Sequence, residues 1–76
     1  MDILAFVEDK INHFGEMIAT QRDKADELAM GELLFFLSFR RVLKNQKTAQ
    51  DIGMMDAIND VLEIKGLVPK GEKFYQ

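Results

Sequence analysis

The chain has 76 residues, a formal net charge of −3 and no cysteine. A domain this short buries only about 60% of the surface of its unfolded chain, and without cysteine it has neither a disulfide nor a thiolate metal site to compensate. Association with a second chain is the common remaining source of buried surface. The negative charge argues against a general nucleic-acid binder, since contacts to phosphate dominate that affinity.

The same composition argues against a membrane protein, a secreted protein and an enzyme. The longest uncharged stretch, Leu33 to Phe39, is far shorter than the roughly 20 residues that span a bilayer. The acidic start lacks the basic residues of a secretion signal. A single histidine without a glycine-rich phosphate loop makes no catalytic constellation. We therefore expect a cytoplasmic, non-enzymatic protein with no cofactor and no metal.

The first segment predicts an amphipathic helix over about residues 2–21. Asp2 can act as its N-cap, and apolar residues recur at steps of three and four. These residues are Leu4, Val7, Ile11, Phe14 and Ile18. The polar stretch over residues 20–26 leaves two alternatives open. It is either the turn of a helical hairpin or the middle of one long, kinked helix.

The second helix, predicted over about residues 24–45, is apolar on nearly every side in its middle. A helix that is apolar all round must be buried all round, and a chain of this length has little protein with which to cover it. We therefore expect a helical homo-oligomer, most simply a dimer, with this helix at its centre. The expected interface residues are Leu33, Phe35, Phe36, Phe39 and Val42.

A basic cluster follows at the end of the second helix. Its members are Arg40, Arg41, Lys44 and Lys47. Cations stabilise the negative end of a helix dipole, and we favour this interpretation. Contacts to phosphate are the alternative use of the same residues. Because the whole chain is acidic, we expect nucleic acid to bind weakly at most, and we expect physiological salt to abolish that binding.

The third helix is predicted over about residues 49–65, with signals at both ends. Thr48 is the expected N-cap, with Asp51 in the capping-box position. Gly66 fits the position after the last turn, and Pro69 prevents the helix from resuming. One apolar stripe is expected along it, formed by Met54, Met55, Ile58, Val61 and Leu62.

The polar face of this helix and the end of the chain are the expected partner-binding elements. The face is acidic and has no basic residue within it, so a basic partner would gain long-range attraction. The end of the chain carries two adjacent aromatic residues, a type enriched in binding hot spots. The candidates are Asp56, Asn59, Asp60, Glu63, Phe74 and Tyr75. In the alternative that we prefer for the two aromatic residues, they fold back onto their own or a neighbouring subunit.

The sequence as a whole predicts an all-α chain, with a helical hairpin and a third helix in one domain over residues 1–68. A short C-terminal arm over residues 69–76 follows. The predicted function is a small adaptor, inhibitor or regulator that contacts an unidentified protein, a type common among phage and mobile-element accessory factors. One alternative is a nucleic-acid-binding transcriptional regulator. Another is an oligomer that binds a small ligand in a pocket at the subunit interface.

Overall fold

A computed structural model of the protein describes residues 2–20 and 24–76, with side chains in the second range from residue 27 onward. It contains three α-helices, α1 (Ile3–Thr20), α2 (Lys24–Leu43) and α3 (Ala49–Ile64). No strand occurs in the described ranges. The prediction of an all-α chain with three helices is confirmed, and each predicted end lies within two residues of the observed one.

The first two helices form a hairpin. Residues 21–23, where the turn was expected, lie outside the described residues, but ring contacts decide between the two alternatives. The rings of Phe6 and Phe36 lie with their centroids 6.2 Å apart. In one continuous helix, residues this far apart in sequence would be separated by about 45 Å. The chain therefore folds back between α1 and α2.

The chain divides within α2, between Arg40 and Arg41, into two compact units. In the first unit, Phe36 lies edge-on to Phe6 and stacks on Phe14 at 6.2 Å between centroids. The ammonium group of Lys10 lies 5.6 Å from the ring centroid of Phe6. Aromatic pairs of this kind contribute about 0.5–1.5 kcal/mol beyond their buried area. Phe36 is thus the centre of the aromatic packing between the two helices.

Helix α2 is buried on two nearly opposite faces. Ala29 and Ser38 are each 1% exposed, and the nine residue steps from one to the other amount to about two and a half turns. Phe39 and Val42 are also buried, each 8% exposed, so a second chain is not required to cover them. The exposed apolar side chains of α2 are Leu28, Met30 and Leu34. A homo-oligomer centred on this helix stays a prediction.

Helix α2 ends earlier than predicted because Asn45 takes a left-handed conformation. Asn45 has a φ of 58°, which asparagine tolerates better than most residues. Its amide donates to the carbonyl oxygen of Val42, and the amide of Gln46 donates to that of Arg41 at 2.8 Å. These two bonds form a Schellman motif. Polar residues beyond Leu43 therefore belong to the connection to α3.

In the second unit, the predicted caps of α3 are confirmed at both ends. The Thr48 hydroxyl accepts from the amide of Asp51 at 3.1 Å, and the Asp51 carboxylate accepts from the amide of Thr48 at 3.0 Å. Gly66 has a φ of 76°, and the amide of Leu67 donates to the carbonyl of Leu62 at 2.8 Å. Both ends of α3 are therefore fixed by local hydrogen bonds.

None of the helices in the described ranges has both the length and the apolar character to span a membrane.

Candidate protein-binding surface

The inward face of α3 carries three buried residues at steps of four. Asp51 is 3% exposed, and Met55 and Asn59 are both 0% exposed. Residues four apart lie on one face of a helix. Two of the three are polar, and buried polar groups need hydrogen-bond partners. The partners of Asp51 and Asn59 define how the second unit is held together.

Asp51 is held by Arg41 from the end of α2. Arg41 Nε donates to Asp51 Oδ2 and Arg41 Nη2 donates to Asp51 Oδ1, both at 2.7 Å. Bidentate bonds between ionised groups are about twice as strong as neutral ones. The hydrogen bonds from Arg41, together with the charge of Asp51, keep the pKa of Arg41 above its ordinary value. Arg41 is therefore a structural partner of α3 in this fold.

Asn59 joins α3 to the C-terminal segment, defined here as residues 70–76. Its side-chain amide nitrogen donates to the carbonyl oxygen of Glu72 at 2.7 Å and to the Glu63 carboxylate at 3.1 Å. Its side-chain oxygen accepts from the amide of Phe74 at 2.9 Å. Asn59 was expected on an exposed acidic face, and this expectation is corrected. It is buried because its amide group pairs with the backbone of the C-terminal segment.

Asp56 binds the same segment one turn earlier on α3. Its carboxylate accepts a hydrogen bond from the Tyr75 hydroxyl and lies 3.6 Å from Lys73 Nζ. The sequence suggested an acidic face without a counter-charge from its own chain. That expectation was wrong, because Lys73 provides a positive charge next to Asp56. Phe74 and Tyr75 are both half-buried. The folded-back alternative is therefore the one that these two residues adopt, and a partner-binding role for the acidic face stays a prediction.

The Tyr75 contact predicts a specific pH dependence. Its hydrogen bond to Asp56 raises the pKa of Tyr75 to about 12, because ionisation would break the bond and place two anions side by side. Since the pKa is raised in the folded state, the contact stabilises the protein fully below the ordinary pKa of about 10. That stabilisation is lost as pH rises from about 10 towards about 12.

The measurement is an ultraviolet titration, which is unambiguous because the chain has one tyrosine and no tryptophan. We expect a midpoint near pH 12, and a midpoint closer to about 10 in the Asp56→Asn variant. The Asp60→Asn variant is the matched control and should shift the midpoint little. A wild-type midpoint at the ordinary value, with the helical circular dichroism signal intact, would show that the contact does not form in solution.

The other predicted residues are distributed over the surface and the core. Of the basic cluster, Arg41 is paired with Asp51, Arg40 is half-buried, and Lys44 and Lys47 are exposed. Of the predicted interface, Leu33, Phe35 and Phe36 are half-buried. Both sets therefore include residues that their own chain covers in part.

A different surface emerges on α3, opposite its buried residues. We call this the outer face, and its residues are Met54, Ala57, Val61 and Ile64. Met54 is 39% exposed, Val61 56% and Ile64 90%, and Ala57 is exposed as well. Leu67, beyond the end of the helix, is also 68% exposed. Contiguous exposed apolar surface of this kind marks interaction sites more often than scattered single residues do.

Sequence reasoning missed the outer face because it combined two stripes into one. Met54 and Met55 are adjacent, so they point about 100° apart. Met55 is fully buried and Met54 is exposed. The sequence does carry a signal for two stripes, because two series of apolar residues run along α3 at helical spacing. One series is 55, 58 and 62, and the other is 54, 57, 61 and 64. A helix with two apolar stripes has one stripe left over after it packs on its own chain.

The described part of the chain contains neither a pocket nor a group of three or more side chains suited to bind a metal ion. Comparison with protein-family models, with curated proteins and with solved structures finds no match for this chain.

Proposed function

We propose that this protein is a small, non-enzymatic adaptor, inhibitor or regulator of the cytoplasm that binds protein through the outer face of α3. The observation that carries the proposal is the exposure of Met54, Val61 and Ile64 on one face of a helix. Amphipathic helices that present such a face commonly bind other helices or apolar grooves. The capped ends of α3 add to this, since a preorganised helix loses less entropy on binding.

The outer face is a better candidate than the acidic face that the sequence suggested. Asp56 and Asn59 already bind the C-terminal segment of their own chain. The outer face also differs from the exposed apolar residues of α2. Met30 and Leu34 lie four residues apart on one side of α2, but Leu28 lies about 120° from Leu34 around the helix. The three exposed apolar residues of α2 therefore do not form one stripe, whereas the four residues of the outer face do.

The two alternatives gain less support from the described residues. A nucleic-acid regulator would use the basic cluster, and one of its four members, Arg41, is already bound to Asp51 at 2.7 Å. A small-ligand site would need a cavity, and the outer face is a convex helix surface. We therefore favour protein binding over both.

Site-specific photocrosslinking tests the proposal. A benzophenone amino acid at Val61 is expected to give a covalent protein adduct on irradiation, whether in cells of the source organism or with the purified chain. The matched control carries the same group at Asn12, which is exposed on α1, and should give no adduct. Intact-mass analysis identifies the adduct. If no protein is captured from Val61, or Asn12 captures the same protein as efficiently, the proposal fails.

A further inference from the structure

We propose that the outer face of α3 binds a second copy of this chain, with the two α3 helices parallel. The inference rests on the proposed function and adds the identity of the partner. The outer face has the spacing of a helix–helix seam, because residues 54, 57, 61 and 64 alternate steps of three and four. This is the a and d pattern of helices that pack side by side. Around a two-fold axis the same residues meet their own copies.

The two edges of the seam carry opposite charges. Asp60 directly precedes Val61, which places it at a g position, and Lys65 directly follows Ile64, which places it at an e position. Both are exposed. They lie on opposite sides of the apolar stripe, so the outer face has one acidic and one basic edge.

These edges select the parallel orientation. In a parallel pair, a g residue of one helix meets the e residue five positions later on the other. Asp60 of each copy would then meet Lys65 of its partner, which gives two ion pairs. In an antiparallel pair, equal edges meet, and the two Asp60 carboxylates would face each other near the centre of the contact. Charge complementarity therefore favours a second copy in parallel over an antiparallel one.

The seam is short, and its length sets the expected strength. Four seam residues span about two heptads. A contact of this length belongs to the class of small interfaces, which bury less than about 1,200 Å² and form weak or transient complexes. We therefore expect a reversible dimer that dissociates in the micromolar range or above, and that gains affinity at low salt.

Sedimentation equilibrium of the full chain across a range of concentrations tests the inference. We expect a monomer–dimer equilibrium for the wild type. Ile64→Lys should raise the dimer Kd by about a hundredfold, because it brings two like charges into an apolar seam. Ile64 is 90% exposed and lies at the end of α3 where a cation suits the dipole, so the monomer should fold normally. Leu34→Lys, at an exposed apolar position of α2, is the matched control and should leave the Kd unchanged.

A charge swap tests the orientation. Asp60→Lys and Lys65→Glu, each alone, should weaken the dimer several-fold at low salt, because each replaces two attractive pairs by repulsive ones. The double variant exchanges the two edges and should restore the wild-type Kd to within about twofold. High salt should reduce all three differences.

The outcomes separate this inference from the proposed function. A wild type that stays monomeric, or a double variant that stays as weak as the single ones, overturns the parallel self-pairing. So does dissociation by Leu34→Lys but not by Ile64→Lys, which would move the contact to α2. A photoadduct from Val61 to a different protein would leave the proposed function standing and overturn the second copy as its partner. If Val61 gives no photoadduct and the wild type forms no dimer, both the proposed function and the self-pairing are overturned.

Discussion

Replacement of Asp51 by alanine is expected to lower the free energy of unfolding by about 3 kcal/mol, because it removes a buried charged acceptor and half of a capping box. The carboxylate is 3% exposed and accepts hydrogen bonds from Arg41 Nε, Arg41 Nη2 and the amide of Thr48. Alanine offers no acceptor to any of these three donors. The measurement is urea denaturation monitored by the helical circular dichroism signal.

Two further variants make this result specific to the Asp51 carboxylate. Asp60→Ala removes an exposed carboxylate from the same helix and should change the free energy of unfolding by less than about 0.5 kcal/mol. Asp51→Asn keeps the shape and one acceptor oxygen but loses the charge, so its effect should fall between the two. Equal midpoints for Asp51→Ala and Asp60→Ala would show that the ion pair between Arg41 and Asp51 does not form in solution.

The caps of α3 were predictable because their partners are close in sequence. Thr48 and Asp51 are three residues apart, and Gly66 lies directly beyond the last turn. Such motifs depend on local backbone geometry and on the residue types that fit it. The pairing of Arg41 with Asp51 was not predictable in the same way. The sequence placed both residues correctly on their helices, but the loop between them decides which cation reaches the carboxylate.

The roles of polar residues within α3 were predicted less well. Asn59 was expected at the surface because it stands among acidic residues, and its burial depends on backbone groups 13 and 15 residues later. No periodicity within α3 reports on a segment that has no regular structure. The same holds for Met54 and Met55, since adjacent apolar residues give no local sign of which one the rest of the chain will cover.

The burial of α2 shows where an argument from composition reached its limit. An apolar perimeter predicted burial on every side, but within this chain Phe39 and Val42 are buried whereas Leu34 is 55% exposed. It could not specify whether the same chain or another one provides the cover. Phe39 and Val42 are covered within one chain, so we expect an intermolecular surface among the residues that remain exposed.

Replacement of Asn59 by alanine is expected to release the C-terminal segment and to lower the free energy of unfolding by about 2–3 kcal/mol. The substitution leaves the amide of Phe74 and the carbonyl of Glu72 without their partner, and each unsatisfied group costs about 1–3 kcal/mol when buried. Both lie near the surface and can reach water once the segment detaches, which limits the loss. Asn12→Ala, at an exposed position of α1, should be within about 0.5 kcal/mol of the wild type.

Tyr75 gives this prediction a readout that general destabilisation would not change. In the folded Asn59→Ala variant, release of the segment should bring the pKa of Tyr75 down from about 12 towards about 10. Deletion of residues 72–76 supplies the second arm of a double-mutant cycle. If Asn59 acts by holding the segment, the deletion should destabilise the wild type clearly and the Asn59→Ala variant very little. Additive losses, or an unchanged Tyr75 titration in the folded variant, would show that Asn59 stabilises α3 independently of the C-terminal segment.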